Sequence, residues 1–279
     1  MAAGDLVLLT GATGFVGFRT LRTTLEHGYN VRAVFRSESK AQAILSNPAL
    51  KEKTSSNLTT AVVPDFLAPN AFDEVVKGVK YIIHIASPLP PTSIEGLDLK
   101  AAVVDPAVQG TLGVLESAKK AGGVERIVIT SSVVATVPTP LLLGTPFPGQ
   151  KFGPTFRADD IPAPYMNMGI VAYVASKIAA LRRAEEWIAA QKPEFDVIHI
   201  HPSYVLGRDD STTTVAAFAN GTNRLALDPI LGKTAEQPLT PTMVHVDDVA
   251  AAHVLALNPS VSGNRSFILS TKGLSLIHI

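Results

Sequence analysis

The sequence predicts an α/β fold built around a doubly wound parallel sheet, and three observations point to it. Short apolar runs typical of buried strands alternate with helical segments through short connections. The first apolar run, residues 6–9, leads directly into a glycine-rich turn. Apolar residues make up 46% of the 279 residues, enough for a large core. This combination is typical of a Rossmann-type sheet covered by helices on both faces.

The strands predicted in the first half are continuous apolar runs, as expected of parallel strands that are buried on both faces. They cover residues 6–9, 30–35, 59–63, 81–85 and 126–130. Helices are predicted between them over residues 15–27, 37–45, 71–76 and 97–121. We expect Gly28 to end the first helix, Pro48 to stop the second, and Pro106 to kink the last or mark its true start.

The second half is less regular. Residues 138–167 contain seven prolines, so we expect an extended loop that forms a wall of the substrate cleft. A helix over 171–191, strands over 195–200, 242–246 and 266–270, and a helix over 247–257 are predicted after it. Asp247 is the expected N-cap of that last helix. Residues 1–204 are predicted to form the dinucleotide-binding domain, and 205–273 a small substrate lobe with elements that return to the core.

Composition excludes several classes of function. The 24 basic and 24 acidic residues balance, so nothing favours nucleic acid or an anionic membrane as a partner. The absence of cysteine removes disulfides, thiolate catalysis and cysteine-ligated metal. No secretory signal and no 18-residue apolar run are present. We therefore predict a cytoplasmic protein that acts on a small molecule, without metal, as a monomer or homodimer.

The last six residues, 274–279, are expected to be non-native. Their sequence, LSLIHI, resembles a translated adapter of a sequencing library. The native sequence would then end near Gly273, with part of the substrate lobe missing. The alternative interpretation is an ordinary apolar strand.

The glycine-rich turn over residues 10–17 is a candidate phosphate site, because it follows a buried strand and opens a helix. Gly11 permits the tight turn, Gly14 lets the backbone approach a pyrophosphate, and Gly17 lets helix and strand pack closely. The N–H groups at the helix N-terminus attract the phosphate. The candidate residues are Gly11, Ala12, Thr13, Gly14, Phe15, Val16 and Gly17. A glycine turn without a ligand is the alternative.

The end of the second strand decides which dinucleotide is favoured. Arg36 stands where a carboxylate would bind the ribose of NAD, and Lys40 follows it. A guanidinium can stack on adenine and bind a 2′-phosphate, so the sequence predicts NADP (NADPH). The alternative interpretation is that Arg36 and Lys40 are simply exposed at the start of a solvated helix. The acidic residue Glu38 between them keeps this alternative open.

Two further strand ends are predicted to line the same site. Asp65 could accept a hydrogen bond from the adenine amino group, with Phe66 as apolar cover, although Asp65 could equally be a turn residue after Pro64. Ala86 and Ser87 end the fourth strand at the edge where ligands bind in such sheets.

Tyr173 and Lys177 are the candidate catalytic pair, because positions four apart share one face of a helix. We expect the ammonium to lower the pKa of the phenol from about 10 toward 7, so that Tyr173 exchanges a proton with a carbonyl oxygen. Lys177 could also bind the nicotinamide ribose. A hydroxyl at the end of the fifth strand, Ser131 or Ser132, would hold the carbonyl. His199 and His201 lie on one face of a strand and are expected to be core histidines.

Ordered motifs along nearly the whole chain resemble the extended short-chain dehydrogenase/reductase family. The resemblance is to its dihydroflavonol-reductase-like subgroup, and within that to fungal NADPH-dependent methylglyoxal, aldehyde and ketone reductases. The matching stretches are residues 10–17, 36–40, 62–65, 84–88, 106–111, 124–132, 172–177, 202–207 and 246–250.

The resemblance implies a catalytic triad and a set of cofactor contacts. The triad is Ser132, Tyr173 and Lys177, and Ser132 is chosen over Ser131 on this ground. NADP contacts are implied for the glycine turn and for Arg36, Lys40, Asp65, Phe66, Ala86, Ser87, Tyr173, Lys177, Pro202 and Val205. Two residues depart from the asparagines that are common in relatives. Gln109 puts an asparagine-assisted proton relay in doubt, and His201, before Pro202, suggests a reshaped wall near the nicotinamide.

The function predicted is NADPH-dependent reduction of an aldehyde or ketone, and two alternatives stay open. The first is a nucleotide-sugar epimerase or dehydratase with bound NAD, which the lack of a carboxylate at position 36 disfavours. The second is a non-catalytic NADP-sensing protein. The sequence identifies neither the substrate nor the physiological direction.

Overall fold

A seven-stranded parallel sheet forms the centre of the molecule. The computed structural model describes residues 4–51, 56–91, 93–142, 144–145, 147–165, 168–212, 214, 218, 221–233 and 242–271. Its strands are β1 (Leu6–Thr10), β2 (Asn30–Phe35), β3 (Leu58–Val62), β4 (Tyr81–His84), β5 (Arg126–Thr130), β6 (Asp196–Pro202) and β9 (Arg265–Leu269). Their order is β3-β2-β1-β4-β5-β6-β9, so the chain reverses its direction of sheet growth between β1 and β4. Ligands bind beyond the carboxyl ends of the strands at such a point.

Helices cover both faces of this sheet. They are α1 (Phe15–Glu26), α2 (Glu38–Leu45), α3 (Pro48–Lys51), α4 (Asp105–Ala121), α5 (Thr139–Leu142), α6 (Gly169–Gln191), α7 (Arg224–Ile230) and α8 (Val246–Leu255). Helix α1 packs against α8 on one face, and α4 packs against α6 on the other. Each face has its own apolar core, one centred on Phe18 and Leu21 and the other on Phe72 and Leu115. The predicted doubly wound α/β fold is confirmed.

A second, two-stranded parallel sheet lies after the main one. It pairs β7 (Tyr204–Leu206) with β8 (Met243–His245). Val205 and Val244 of this small sheet pack against α8 and against Phe15 and Val16 of the glycine turn. The small sheet therefore connects the C-terminal part of the chain to the N-terminus of α1. The predicted non-native tail, residues 274–279, lies outside the described residues.

Most predicted elements are present, with ends shifted by one or two residues. The predicted helix over 71–76 is wrong, because residues 66–78 form successive turns. Asn70 and Gly78 both have positive φ, 60° and 71°, which is outside the helical region and bounds the turns on both sides. Pro48 begins α3 rather than only stopping α2, as a proline at a first helical position can.

Two helix starts have clear local causes. Residues 100–104 form a π-helix, and α4 proper begins beside Pro106, so the prediction that this proline marks the true start is confirmed. Asp247 does not cap α8. The N-cap is His245, whose side chain accepts a hydrogen bond from the Asp247 N–H at 3.2 Å. Asp247 instead lies in the first turn and pairs with Arg19 of α1 at 2.6 Å.

The described part of the proline-rich segment packs along α6. Ala135 and Ala158 form a small apolar core with Val174, Ile178 and Leu181 of that helix. Arg157 from the same segment binds Glu185 near the C-terminal end of α6 at 2.6 Å. The segment therefore supports the helix that carries the candidate catalytic pair.

Candidate active site

A cavity of about 550 Å³ opens at the carboxyl ends of the main strands. It brings together nearly all of the residues predicted for the site. Only Ala12 and Asp65 of that set do not line it. The predicted residues that line it are Gly11, Thr13, Gly14, Phe15, Val16, Gly17, Arg36, Lys40, Phe66, Ala86, Ser87, Ser132, Tyr173, Lys177, Pro202 and Val205.

The glycine turn is shaped by close backbone contacts. Gly11 has φ of 85°, and a Cβ on it would lie 2.8 Å from the Ala86 nitrogen. A Cβ on Gly17 would lie 1.9 Å from the Gly11 carbonyl oxygen. A Cβ on Gly14 would meet the protein only at 3.7 Å, which is ordinary contact. Packing therefore requires glycine at positions 11 and 17, whereas position 14 leaves space beside the cavity.

The N-terminus of α1 offers unpaired N–H donors to this cavity. Gly14 is the N-cap and provides no side-chain hydrogen bond, and the first turn contains no acidic residue. The N–H groups of a first helical turn have no partner within the helix. Together with the helix dipole they form an anion site, which is the donor set that a dinucleotide pyrophosphate requires.

Arg36 and Lys40 provide positive charge at the end of β2. The Arg36 guanidinium lies 5.6 Å from the centroid of the Phe66 ring, a cation–π contact that holds it at the cavity wall. Lys40 lies in the first turn of α2, where its N–H donates to Ser37 Oγ at 3.3 Å. Among the described residues that line the cavity, none is acidic. Glu38 points elsewhere, since it accepts from Gln42 Nε2 at 2.8 Å.

Asp65 has a local partner. Its Oδ1 accepts from the Leu67 N–H at 2.8 Å, which is the turn role that was the alternative interpretation. It also lines a neighbouring cavity of about 240 Å³, together with Arg36, Phe66 and Ala86. Asp65 therefore lies beside residues that also line the large cavity, without lining that cavity itself.

Ser132, Tyr173 and Lys177 line the same large cavity as the glycine turn. Ser132 follows β5, is buried, and caps a short 3₁₀ turn by accepting from the Val134 N–H at 3.4 Å. Tyr173 and Lys177 lie one turn apart on α6, and the Lys177 ammonium stands 5.9 Å from the centroid of the Tyr173 ring. Ser131 also lines the cavity, but it is Ser132 whose hydroxyl lowers the pKa of the Tyr173 phenol.

The expected acidification of Tyr173 by Lys177 is wrong for this structure. Burial raises the pKa of Tyr173, a hydrogen bond from Ser132 partly offsets that rise, and Tyr204 adds to it. Burial also lowers the pKa of Lys177 to about 8. The ammonium stands over the ring, where it makes a cation–π contact. A phenol with a raised pKa stays protonated near neutral pH, as a proton donor must.

The buried histidines are core residues, as expected. His199 and His201 are stacked with ring centroids 6.3 Å apart, and His201 Nδ1 lies 3.3 Å from the Ser132 carbonyl oxygen. Burial lowers the pKa of His199 to about 4 and that of His201 to about 3, so both are neutral. Within the described ranges, no group of three or more His, Cys, Asp or Glu is arranged to hold a metal ion.

Sequence reasoning missed part of the cavity wall. Gly221 and Thr222 line it, and the Thr222 hydroxyl donates to the Val205 carbonyl oxygen. They lie in a segment predicted only as irregular, where no pattern could place them. Leu89 also lines the cavity, and it is 72% exposed.

None of the helices described is long and apolar enough to cross a membrane.

Comparison with known proteins places this geometry among reductases. The family model described as "NAD dependent epimerase/dehydratase family" matches residues 7–268. The chain is 42% identical over 274 residues to "Ketoreductase CTB6" of Cercospora beticola, covering 96% of this chain and 75% of that protein. It is 35% identical over 221 residues to "Aldehyde reductase 2" of Sporidiobolus salmonicolor, covering 78% of this chain and 62% of that protein.

A solved structure shares the fold at comparable coverage. Yeast methylglyoxal/isovaleraldehyde reductase Gre2, complexed with NADPH, superposes with a TM-score of 0.79 at 25% sequence identity. The superposition covers 95% of this chain and 78% of the yeast protein. The predicted resemblance to fungal reductases is confirmed.

Proposed function

The chain belongs to the NAD dependent epimerase/dehydratase family and is an oxidoreductase, and we propose that it reduces an aldehyde or ketone to the alcohol with NADPH. The observation that carries this proposal is the arrangement of one cavity. Its lining includes Ser132, Tyr173 and Lys177, the glycine turn, and Arg36 with Lys40. In the strand order, the glycine turn after β1 lies between Arg36 after β2 and Ser132 after β5. The names of the relatives, which include a ketoreductase and an aldehyde reductase, support it.

The residues present fit a phosphorylated dinucleotide. The first-turn N–H groups of α1 would hold the pyrophosphate, and Gly14 leaves room for it. Arg36 and Lys40 would bind the 2′-phosphate, and Phe66 keeps the guanidinium in place. NADPH, when bound, supplies the hydride that reduces the carbonyl carbon. The NADPH complex of the structurally similar yeast reductase supports this choice of cofactor.

Three side chains would handle the carbonyl oxygen and its proton. Ser132 donates a hydrogen bond that orients the carbonyl, and Tyr173 transfers its phenolic proton to the oxygen. The phenolate left on Tyr173 is reprotonated from solvent, and the Lys177 ammonium, 5.9 Å from the centroid of that ring, would bind the nicotinamide ribose. The raised pKa of Tyr173 keeps the phenol protonated near neutral pH, which is the form that donates a proton.

The cavity wall favours an uncharged substrate. The described cationic residues that line it are Arg36, Lys40 and Lys177, all of which are assigned to the cofactor. No further positive group among the described lining residues remains to bind a diphosphate, so a nucleotide sugar is disfavoured. The exposed Leu89 side chain offers apolar contact at the mouth. A small or medium aldehyde or ketone suits these properties.

The direct test is oxidation of NADPH by the purified protein against a panel of aldehydes and ketones. We expect turnover with at least one compound, and turnover slower by roughly 10²–10⁴-fold with the Tyr173→Phe variant. No turnover across the panel would overturn the proposal. Mass spectrometry of cofactor extracted from the protein separates the alternatives, because tightly retained NAD⁺ would instead favour an epimerase or dehydratase.

Arg36→Ala is expected to weaken NADPH binding by roughly 10- to 100-fold, the loss of one or two charge-assisted hydrogen bonds. Binding of NADH, which lacks the 2′-phosphate, should change little. Fluorescence titration with both cofactors measures the two dissociation constants. Arg183→Ala is the control, because Arg183 binds Glu186 and Asp160 on the outer face of α6. Equal losses for NADPH and NADH would contradict the assignment of Arg36.

The catalytic efficiency is expected to fall as pH rises through about 8, where the buried Lys177 loses its charge. The ammonium is present below that pKa, so the loss appears on the alkaline side. The measurement is kcat/KM for NADPH between pH 6 and 10, which reports groups of the free enzyme. Lys177→Arg, whose charge persists across this range, should abolish the alkaline limb even if its activity is low. A limb unchanged by that variant would assign it to another group.

A further inference from the structure

The buried histidine His201 has no part in the proposed chemistry, yet it contacts the backbone of a residue that does. Its side chain is fully buried and is not among the described residues that line the large cavity. It therefore does not form the wall near the nicotinamide that its position before Pro202 suggested. Its ring contacts Ser132 instead, because His201 Nδ1 lies 3.3 Å from the Ser132 carbonyl oxygen.

The sheet register brings these two residues together. Strands β5 and β6 pair in parallel with Thr130 beside Ile200, and the Ser131 N–H donates to the Ile200 carbonyl oxygen at 2.8 Å. Ser132 and His201 are the residues that directly follow this hydrogen bond on the two chains. The short 3₁₀ turn that Ser132 caps, residues 133–135, packs against both β6 and α6. The contact therefore joins the end of the sheet to the catalytic side of the cavity.

The tautomer of His201 follows from its contacts. Burial, and after it the neighbouring His199, lowers the pKa of His201 to about 3, so the ring is neutral near pH 7 and carries one N–H. A carbonyl oxygen can only accept a hydrogen bond, so the proton lies on Nδ1. With the proton on Nε2, a buried N–H would have no acceptor among the described residues, and the Nδ1 lone pair would face the carbonyl oxygen.

The carbonyl of Ser132 then has both lone pairs occupied. It accepts from the Ala135 N–H at 3.0 Å within the 3₁₀ turn, and from His201 Nδ1–H on the side of β6. Two donors from different elements fix the orientation of this peptide unit against the sheet, whereas the donor within the turn would tilt with it. The Ser132 hydroxyl has only a long contact of its own, 3.4 Å from the Val134 nitrogen. The backbone therefore decides where this hydroxyl points.

We propose that His201 is a positioning residue for carbonyl reduction, which acts by fixing the backbone of Ser132 so that the Ser132 hydroxyl faces the substrate carbonyl. Small misplacements of a group that orients the substrate lower the rate of the chemical step. The inference rests on the proposed function, because Ser132 has this task only if the protein reduces a carbonyl. The hydrogen bond between His201 and Ser132 does not depend on that function.

The first test uses three substitutions that separate the donor from the bulk of the ring. An asparagine amide nitrogen is as many bonds from Cβ as histidine Nδ1, so His201→Asn retains the N–H donor. His201→Gln places the amide one bond further away, and His201→Leu has no donor. We expect His201→Leu and His201→Gln to lower kcat roughly tenfold, the loss of one hydrogen bond, and His201→Asn to restore most of it. NADPH affinity should not change in any of the three.

A role in packing alone predicts the opposite order. His201→Asn leaves the largest void of the three, so it should be the least stable variant in thermal denaturation. If kcat were also lowest in His201→Asn, the proposal would be overturned. His253→Leu is the control, because His253 is a fully buried histidine that binds Thr130 and Val249 rather than Ser132. Equal losses of kcat in His253→Leu and His201→Leu would also contradict the proposal.

The second test places His201→Leu in a Ser132→Ala background. Ser132→Ala retains the backbone carbonyl but has no hydroxyl to position, so His201→Leu should cause no further loss of kcat there. A further tenfold loss would show that His201 acts independently of the Ser132 hydroxyl, and would overturn the positioning role. If Ser132→Ala turns over too slowly to measure, the order of His201→Asn and His201→Gln decides.

The hydrogen bond itself can be measured without turnover. In spectra of the protein labelled with ¹⁵N-histidine, the ring nitrogen shifts distinguish an N–H from a bare nitrogen, and the signals lost in His201→Asn identify His201. We expect the proton on Nδ1, and a proton on Nε2 would overturn the inference. A protein with the Nδ1–H tautomer that oxidises no NADPH would support the hydrogen bond and count against the proposed function.

Discussion

Tyr173→Phe is expected to lower kcat for carbonyl reduction by roughly 10²–10⁴-fold, the usual contribution of a general acid. The variant keeps the ring and loses only the hydroxyl, so the apolar contacts of α6 and the cation–π contact with Lys177 remain. Binding of NADPH should therefore change little. Steady-state kinetics with the best carbonyl substrate and a fluorescence titration with NADPH measure the two effects.

Tyr29→Phe is the matched control for that change. Tyr29 is 2% exposed and packs edge-to-face on Tyr81 in the core beside α1, outside the cavity lining. It should retain wild-type kcat even if its stability falls. If Tyr173→Phe retained kcat as well, the phenol would not be the proton donor, and Ser132 would become the leading candidate for that role.

Gly17→Ala is expected to destabilise the fold and to abolish NADPH binding. The added methyl group would lie 1.9 Å from the Gly11 carbonyl oxygen and 2.5 Å from its carbon. Both are backbone atoms, so α1 has to move away from the turn. Overpacking of this kind costs about 1–3 kcal/mol of unfolding free energy, and more where the backbone cannot adjust. Thermal denaturation and NADPH titration measure the two losses.

Two other glycine substitutions separate packing from ligand binding. The methyl group added by Gly14→Ala would lie 3.7 Å from the nearest protein atom, the Gly11 carbonyl oxygen, so this variant should fold as the wild type does. It should still lose NADPH affinity, because the methyl group would enter the space predicted for the pyrophosphate. Gly113→Ala, in the interior of α4, meets the Phe72 ring at 3.9 Å and should change neither property adversely. A Gly14→Ala protein with full NADPH affinity would place the phosphates elsewhere.

The strands were predictable because each is a continuous apolar run, and buried parallel strands produce that pattern directly. Their ends were less predictable. Strand β6 extends two residues beyond the predicted end, to Pro202, because its residues 198–202 pair with β9. The turns at 66–78 were mistaken for a helix because Phe72 and Val76 have helical spacing. Both are buried, so packing in a series of turns gave the same apolar pattern.

The candidate site was predictable where its residues belong to local motifs. The glycine turn, Arg36 and the Tyr173/Lys177 pair each depend on short spacings, and the strand order brings them to one sheet edge. The pKa of Tyr173 was not predictable, because spacing reveals a neighbouring charge but not the depth of burial, which dominates here.

The most direct test of the catalytic arrangement is a crystal structure of the protein with NADPH. The proposal predicts the nicotinamide end beside Tyr173 and Lys177, the pyrophosphate at the glycine turn, and the 2′-phosphate at Arg36. A nicotinamide ring bound away from the Tyr173 hydroxyl, or a cofactor bound outside the cavity that these residues share, would contradict it.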